Sequence, residues 1–401
     1  MPLATHIAID LAPTLRATRV TIDQMSGAER RRGRATRDSD SKIWLIEYGD
    51  EPRRQAPADA IPAELVSVLL YASQRRYQPG EEAFSGRVLL PGHGFALAYM
   101  RVVATDDREF AVTLTGQPSG PGPGGHSGPT LHMRGRWRIT HHGNLARAGD
   151  ANGVTAVRVH PDELAVPFDP PEMVLAASIP VRGMHSISDA SVALVIDAVD
   201  RAPPPPLPGQ LVRAHGRTWR VQLAPGDRYG PREDVPVAVV PAPRFRQLAE
   251  RIIAQARVEA GVKALSTRAE LDALVRATDR LIDDDLSAPV TEARAALALG
   301  RGDCTAHAVL FYELAHARGI PAKVVTGYRL DDDRLVRHRW ALAAVDGVWL
   351  AVDPTHGEVP AQARLLGLLA HGPSAAELAL VDETAFAGFA QAVARFGTES
   401  P

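Results

Sequence analysis

Apolar and polar residues alternate in short runs over the first part of the chain, up to about residue 242. Glycine, proline and other turn residues separate these runs, which have the length of β-strands. Many short strands punctuated in this way are typical of a sandwich or a barrel. We therefore expect residues 1–242 to form one or more all-β, β-rich domains. The predicted strands are residues 42–48, 86–90, 95–104, 109–114, 130–140, 154–159, 191–199, 211–214 and 218–223.

Three segments of this region are predicted to lack regular structure. Residues 29–37 hold five arginines, which favours a solvated loop, with contact to a polyanion as the alternative. Residues 117–129 are rich in glycine and proline and predict a loop, whereas residues 203–206 are four prolines that predict a polyproline II connector. The sequence of residues 1–242 resembles no family that we recognise, so its role is left open.

From residue 243 onward the apolar residues adopt the spacing of amphipathic helices. Combined with three later strands, these helices favour an α+β domain over residues 243–401. The predicted helices are residues 244–262, a helix capped by Ser266 or Thr267 that ends near residue 281, residues 290–299, and residues 377–396.

A central helix is predicted to begin at Cys304. Gly302 interrupts any preceding helix, and Asp303 belongs to the residue types that cap helix N-termini. The residues that follow are apolar on nearly all sides, which indicates a buried helix, and Gly319 marks its end. Cys304 therefore lies in the first turn, where free amides and the positive end of the helix dipole favour a thiolate.

A predicted hairpin after this helix places two further polar residues together. Asp346-Gly347 is the preferred dipeptide of a two-residue type I′ turn, and it fixes the register of the strands on either side. This register brings Trp340 opposite Asp353. Because His338 is two residues from Trp340 on the same face, we predict that His338 and Asp353 are diagonal neighbours. The three predicted strands are residues 322–330, 337–345 and 348–353.

One thiol, one imidazole and one carboxylate that converge in this way are typical of a nucleophilic triad. Since Cys304 is the only cysteine in 401 residues, it can form neither an internal disulfide nor a thiolate zinc site. Taken singly, each residue also fits a structural role: a core thiol, an ordinary strand histidine and a turn residue. His307, one helical turn after Cys304, is the alternative base.

Several short motifs in this region carry a resemblance to a known family. They are Gly302-Asp303-Cys304, Ala317-Arg318-Gly319-Ile320-Pro321-Ala322, Gly327-Tyr328, His338-Arg339-Trp340 and Trp349-Leu350-Ala351-Val352-Asp353-Pro354-Thr355. In this order they resemble the core of the transglutaminase-like superfamily, over residues 288–358. The resemblance implies a papain-related fold in the C-terminal domain. The sequence holds neither a calcium loop of the EF-hand pattern nor a nucleotide-binding motif, so we expect no cofactor and no metal ion.

The resemblance also implies roles for particular residues. Cys304 would be the nucleophile, His338 the general base and acid, and Asp353 the carboxylate that orients the imidazole. Arg339 stands where the family more often has alanine, and we interpret this difference as harmless. No segment supplies the upstream side chain that stabilises the oxyanion in the family. Three further residues are expected to line the cleft: Asp303, Tyr328 and Trp340.

The implied activity is acyl transfer on amide groups of a protein or peptide substrate. The acceptor stays open, because an amine would give transamidation whereas water would give a cysteine peptidase or another amide hydrolase. A different class of function is a non-catalytic module, in which the β region binds a protein or polysaccharide and the C-terminal fold is a scaffold.

Charge and composition limit the classes of partner that we expect for the chain. A net charge of -2 gives no general attraction to nucleic acid or to membranes, and no apolar run reaches the length of a membrane span. No signal peptide is visible, so we expect a cytoplasmic protein, with export to the periplasm as the alternative. The richness in Ala, Arg, Gly and Pro favours a bacterial source. The sequence leaves the oligomeric state open.

Overall fold

A computed structural model gives the structure of the chain, which divides into two compact units. The first comprises Met1–Phe168 and Ser374–Ala390, and the second comprises Asp169–Pro373 and Gln391–Pro401. The structure describes residues 4–12, 16–26, 29–38, 43–49, 53–73, 75–91, 96–106, 108–116, 131–139, 145–150, 155–157, 178–183, 191–229, 243, 245–286, 288, 290–374, 378, 381, 385–389 and 391–397.

In its described residues the first unit consists mainly of two β-sheets, with one complete helix and helical residues at 378, 381 and 385, which confirms the predicted β-rich character of this region. A five-stranded antiparallel sheet has the order β1-β2-β3-β4-β5, and a seven-stranded sheet has the order β12-β11-β10-β9-β8-β7-β6. The helix is α1 (Glu64–Ala72). The strands are β1 (Ala4–Leu11), β2 (Ala17–Ser26), β3 (Glu29–Asp38), β4 (Ile43–Tyr48), β5 (Arg54–Pro57), β6 (Ile61–Pro62), β7 (Glu82–Leu90), β8 (Ala96–Asp106), β9 (Glu109–Gly116), β10 (Leu131–Ile139), β11 (Leu145–Asp150) and β12 (Thr155–Val157).

The arginine-rich segment is a strand, so its prediction as a loop is wrong. β3 pairs with β2 and β4 on its two sides. Arg30, Arg32 and Arg34 are exposed, while Ala35 is fully buried in the core of the sheet. One face of the strand is therefore solvated, while the other face carries the buried Arg31 and Ala35. The predicted loop at residues 117–129 lies outside the described residues.

The second unit combines helices with a large sheet, as expected for an α+β domain. The helices are α2 (Arg246–Ala260), α3 (Thr267–Leu281), α4 (Ala293–Leu299) and α5 (Cys304–Ala317). The strands are β13 (Ile179–Arg182), β14 (Val192–Asp197), β15 (Gln210–His215), β16 (Thr218–Leu223), β17 (Asp283–Asp284), β18 (Arg301–Gly302), β19 (Ala322–Asp331), β20 (Arg334–Val345), β21 (Val348–Val352), β22 (Leu365–His371) and β23 (Val393–Phe396).

Most strands of this unit form one nine-stranded sheet with the order β15-β16-β14-β23-β13-β20-β19-β22, in which β21 pairs with β20. The helix α5 packs against β19 and β20, and the helices α2, α3 and α4 pack against α5. This arrangement makes α5 the central helix that its all-round apolar sequence predicts, and its residues from Thr305 to Phe311 are buried.

The segment at the end of the sheet differs from its prediction. The sequence predicts a helix over residues 377–396, and the described residues Leu378, Val381 and Ala385 are helical, but Val393–Phe396 forms β23, which pairs with β14 and β13. The strands β13 to β16 pair within the same sheet as β19 to β22, so the compact unit extends back to Asp169. The predicted boundary between a β-rich region of residues 1–242 and a catalytic domain of residues 243–401 stays a prediction. Among the described residues, no helix is long and apolar enough to cross a membrane.

Candidate active site

The first turn of α5 presents Cys304 at the N-terminus of a buried helix. Asp303 caps this helix: its Oδ1 accepts hydrogen bonds from the amides of Thr305 (2.9 Å) and Ala306 (3.3 Å). A Cβ added at Gly302 would lie 2.4 Å from Cβ of Ala306, so only glycine lets the chain enter the helix here. The side chain of Cys304 is partly exposed and free of any disulfide.

The neighbouring hairpin adopts the register that its turn predicts. Val345 pairs with Val348 and Ala341 pairs with Val352, so His338 and Asp353 lie on one face. Nε2 of His338 donates a hydrogen bond to Oδ2 of Asp353 at 2.9 Å. This contact leaves Nδ1 as the ring nitrogen that is available to the thiol.

The three side chains form one chain of contacts. Burial by itself would lower the pKa of His338, but the charge and hydrogen bond of Asp353 and a hydrogen bond with Cys304 outweigh it and raise this pKa to about 10. Burial by itself would raise the pKa of Asp353, but His338, His356 and Arg329 outweigh it and lower this pKa to about 2. At neutral pH the site therefore holds an imidazolium beside a carboxylate, with the thiol at its other end.

Sequence comparison identifies the part of the chain that holds this cluster. Residues 246–354 match the sequence model of the Transglutaminase-like superfamily. These residues form a transglutaminase-like domain. The matched segment contains Cys304, His338 and Asp353, which lie on its central helix, on β20 and just after β21.

Solved structures give weaker matches. A candidate cysteine protease from Cytophaga hutchinsonii is 16% identical, with 54% of this chain and 82% of that chain covered and a TM-score of 0.29. A protein described as a TGase is 18% identical, with 36% and 43% covered and a TM-score of 0.24. A candidate protease from Parabacteroides distasonis is 10% identical, with 66% and 68% covered and a TM-score of 0.20. A search of curated proteins returns no match.

Two aromatic residues of the transglutaminase-like domain that were expected to line a cleft are packed in its interior. Trp340 is 2% exposed and its ring stacks near His338, with the centroids 6.0 Å apart. Tyr328 is 1% exposed, and burial raises its pKa to about 12. A Cβ at Gly327 would lie 2.8 Å from the Trp340 ring and 2.1 Å from the carbonyl oxygen of Leu366, so this glycine makes room for the ring that supports His338.

The alternative base, His307, is engaged elsewhere. Its side chain is 1% exposed, its Nδ1 lies 2.9 Å from the carbonyl oxygen of Asp303, and its Nε2 lies 2.9 Å from that of Ile282. Both ring nitrogens therefore face backbone carbonyls and not the thiol. His307 ties the start of α5 to the end of α3.

An unforeseen buried arginine links the cysteine helix to the histidine strand. Nη1 of Arg339 donates to Oγ1 of Thr305 (2.8 Å), and its Nε donates to Oγ1 of Thr326 (3.1 Å). Burial raises the pKa of the Asp303 carboxyl group, while the charge of Arg339 opposes this rise. The interpretation of Arg339 as harmless is therefore incomplete, because the side chain connects α5, β19 and β20.

A second arginine, Arg329 on β19, binds the carboxylate of the cluster. Its Nη1 donates to Oδ2 of Asp353 at 2.8 Å, and its Nη2 donates to Oε1 of Glu358 at 3.0 Å. Sequence reasoning missed this residue, although a signal existed. Gly327 pairs with His338, and Arg329 two residues later lies on the same face of the strand, diagonal to His338.

A metal ion does not suit this cluster. The potential ligand atoms of His338, Asp353 and His356 lie within 4.8 Å of one another. However, Oδ2 of Asp353 already accepts from both His338 and Arg329. A divalent cation bound there would face a guanidinium group at contact distance, which like-charge repulsion opposes.

Proposed function

We propose that the transglutaminase-like domain is a thiol-dependent acyltransferase that acts on amide groups of a protein or peptide substrate. Cys304 is the nucleophile, His338 the general base and acid, and Asp353 the orienting carboxylate. The observation that carries this proposal is the continuous contact from the thiol at the start of α5, through His338, to the buried carboxylate of Asp353.

The first half of the reaction follows from the charges at the site. The proton of the Cys304 thiol passes to His338, which is then an imidazolium. The Cys304 thiolate adds to the amide carbonyl carbon, and the carbonyl oxygen becomes an oxyanion. Asp303 occupies the amides of Thr305 and Ala306, so the amide of Cys304 itself is the first-turn donor that we assign to the oxyanion. When the carbon–nitrogen bond breaks, the His338 imidazolium gives its proton to the leaving amine, and a thioester remains.

The second half of the reaction depends on the acceptor. His338, now neutral, takes a proton from an incoming amine or water, which attacks the thioester carbonyl. An amine produces a new amide bond, as in a transglutaminase, and water produces a carboxylic acid, as in a cysteine peptidase or amide hydrolase. In either case the thiolate of Cys304 leaves and the imidazolium of His338 is restored.

Within this proposal His338, and not His307, is the base. His338 has one ring nitrogen on a carboxylate and the other free to serve the thiol, which is the arrangement that general base catalysis requires. Both ring nitrogens of His307 are held by backbone carbonyl oxygens. Loss of His307 is therefore expected to affect the anchoring of α5 more than the chemistry.

The experiment that tests the proposal is a mass-spectrometric screen of peptides that contain glutamine, with a primary amine and with or without calcium. Amine incorporation would establish transamidation, whereas deamidation or peptide cleavage would establish hydrolysis. Cys304→Ala is the control that must abolish every product. The absence of an acyl intermediate on Cys304 across a broad panel of amides and esters would contradict the proposal and favour a binding scaffold.

A further inference from the structure

The carboxylate oxygen that holds His338 is shared with a second cation. Oδ2 of Asp353 accepts from Nε2 of His338 at 2.9 Å and from Nη1 of Arg329 at 2.8 Å. Asp353 is 0% exposed and Arg329 is 13% exposed, so water screens these charges weakly. Two positively charged groups therefore compete for one buried anion whenever His338 is protonated.

The arginine is itself fixed in place. Nη2 of Arg329 donates to Glu358, whose other carboxylate oxygen accepts from the amide of Gln362 at 2.9 Å. The backbones of Asp353 and Glu358 also exchange two hydrogen bonds, each 3.0 Å long. Oδ1 of Asp353 accepts from the amide of Thr355 at 3.1 Å. Arg329 thus closes a rigid loop and cannot turn away from Asp353 without losing two ion pairs.

This geometry bears on a requirement of the proposed reaction. A buried aspartate alone would hold the imidazolium proton of His338 strongly, whereas catalysis needs that proton to be released to the leaving amine. A second cation on the same carboxylate oxygen offsets part of its negative charge, so the attraction of Asp353 for the His338 proton is weaker. The carboxylate also remains charged and in position after His338 has given up its proton.

We propose that Arg329 is a positioning residue that shares Oδ2 of Asp353 with His338 and limits how tightly His338 retains its proton. This inference rests on the proposed function, because it concerns the same triad. The titratable or charged groups that face the His338–Asp353 pair are Cys304 from α5, Arg329 from β19, and His356 and Glu358 from the loop after β21.

Two substitutions at Arg329 separate its charge from its hydrogen bonds. Arg329→Lys keeps the charge, while Arg329→Gln keeps a donor but loses the charge. Because Arg329→Gln leaves the partly buried Glu358 without its cation, it is made together with Glu358→Gln, and Glu358→Gln alone is the matched control. Every protein also carries Cys304→Ala, which removes the thiol beside His338 from the measurement.

The measurement is the NMR titration of the His338 imidazole in protein labelled at histidine, with His338→Gln used to assign the signal. Relative to Glu358→Gln, the double variant is expected to raise the titration midpoint of His338 by about one pH unit, since a nearby cation is gone. Arg329→Lys is expected to keep the midpoint of the parent protein. An unchanged or lower midpoint in the double variant would overturn the inference.

Failure of the proposed function gives a different result. In protein with Cys304 intact, the rate of iodoacetamide alkylation at neutral pH is expected to fall at least about tenfold in His338→Gln, because the imidazolium partner is lost. If that rate does not change, the thiol–imidazole pair is wrong. If the rate falls but the double variant leaves the His338 midpoint unchanged, only the role of Arg329 is wrong.

Discussion

The two units use arginine–carboxylate pairs in opposite environments. In the five-stranded sheet of the first unit, Arg34 binds Glu47 at 2.6 Å, and both side chains are open to solvent. In the second unit, Arg329 binds Asp353 at 2.8 Å, and that carboxylate is fully buried. Distances alone would rank the two pairs as equals. Because only the second pair is buried, we expect the loss of its cation to cost much more stability.

The largest expected effect comes from breaking the buried cluster at its reactive end. We expect Cys304→Ala and His338→Ala to lower kcat/KM at least about a thousandfold, because nucleophile and base act as a unit. Asp353→Asn should leave more residual activity, since Asp353 orients the base and does not react. Turnover of a peptide identified in the screen, with circular dichroism as the check on folding, measures this. Wild-type rates in His338→Ala would contradict the assignment.

The comparison of ion pairs can be tested directly by stability. Arg329→Met is expected to lower the free energy of unfolding by about 3–5 kcal/mol, because it removes the cation of the partly buried Glu358 and leaves the buried Asp353 with His338 alone. Arg34→Met is the matched control in the first unit and is expected to leave denaturant unfolding unchanged. Equal effects of the two substitutions would mean that burial does not distinguish these pairs.

Overpacking beside the site is expected to lower the free energy of unfolding by a smaller amount. Gly327→Ala is expected to cost about 1–3 kcal/mol, since the new methyl group would overlap the carbonyl oxygen of Leu366 and the ring of Trp340. Gly226→Ala, which would meet the carbonyl oxygen of Ala351 at 2.3 Å, offers a second overpacked position, and the three nearest atoms to its new methyl group all belong to Ala351. We expect both variants to lose stability but only Gly327→Ala to slow alkylation of Cys304. Equal alkylation rates in both variants would show that the Trp340 ring does not support His338.

Per pH unit, the smallest expected effect is the pH dependence of stability. The pKa of His338 rises from 6.5 to about 10 on folding, so its contribution is complete below pH 6.5 and disappears as pH rises through 10. Unfolding free energy should therefore fall with pH over this window, by at most about 1.4 kcal/mol per pH unit. Urea titrations at several pH values measure the slope. Arg34→Met should keep this slope and His338→Gln should lose it.

The parts of the site that depend on local chemistry were predictable from the sequence. Asp303 is found at the N-cap, and the Asp346-Gly347 turn produces the strand register that brings His338 to Asp353. The N-cap and the turn are each determined by residues that lie next to them in the sequence. The resemblance to the transglutaminase-like superfamily, which the family match confirms for residues 246–354, rests on the same motifs.

The parts that depend on distant partners were not predicted. β3 presents arginines to solvent and gives no apolar alternation, so only its pairing with β2 and β4 makes it a strand. β23 is a strand because β13 and β14 leave a place between them. Glu358 belongs to the ion-pair cluster only because Arg329, 29 positions away in sequence, donates a hydrogen bond to it. Local propensity carries no information about such contacts.

The position of β23 in the second unit has a consequence for biosynthesis. β14 reaches the rest of the nine-stranded sheet through β23, which pairs with β13 on its other side. The ribosome therefore finishes α5 and the triad strands well before the strand that completes the sheet exists. Until Phe396 has emerged from the ribosome, the edges of β13 and β14 that β23 later joins stay unpaired and open to other chains, which exposes the nascent protein to aggregation.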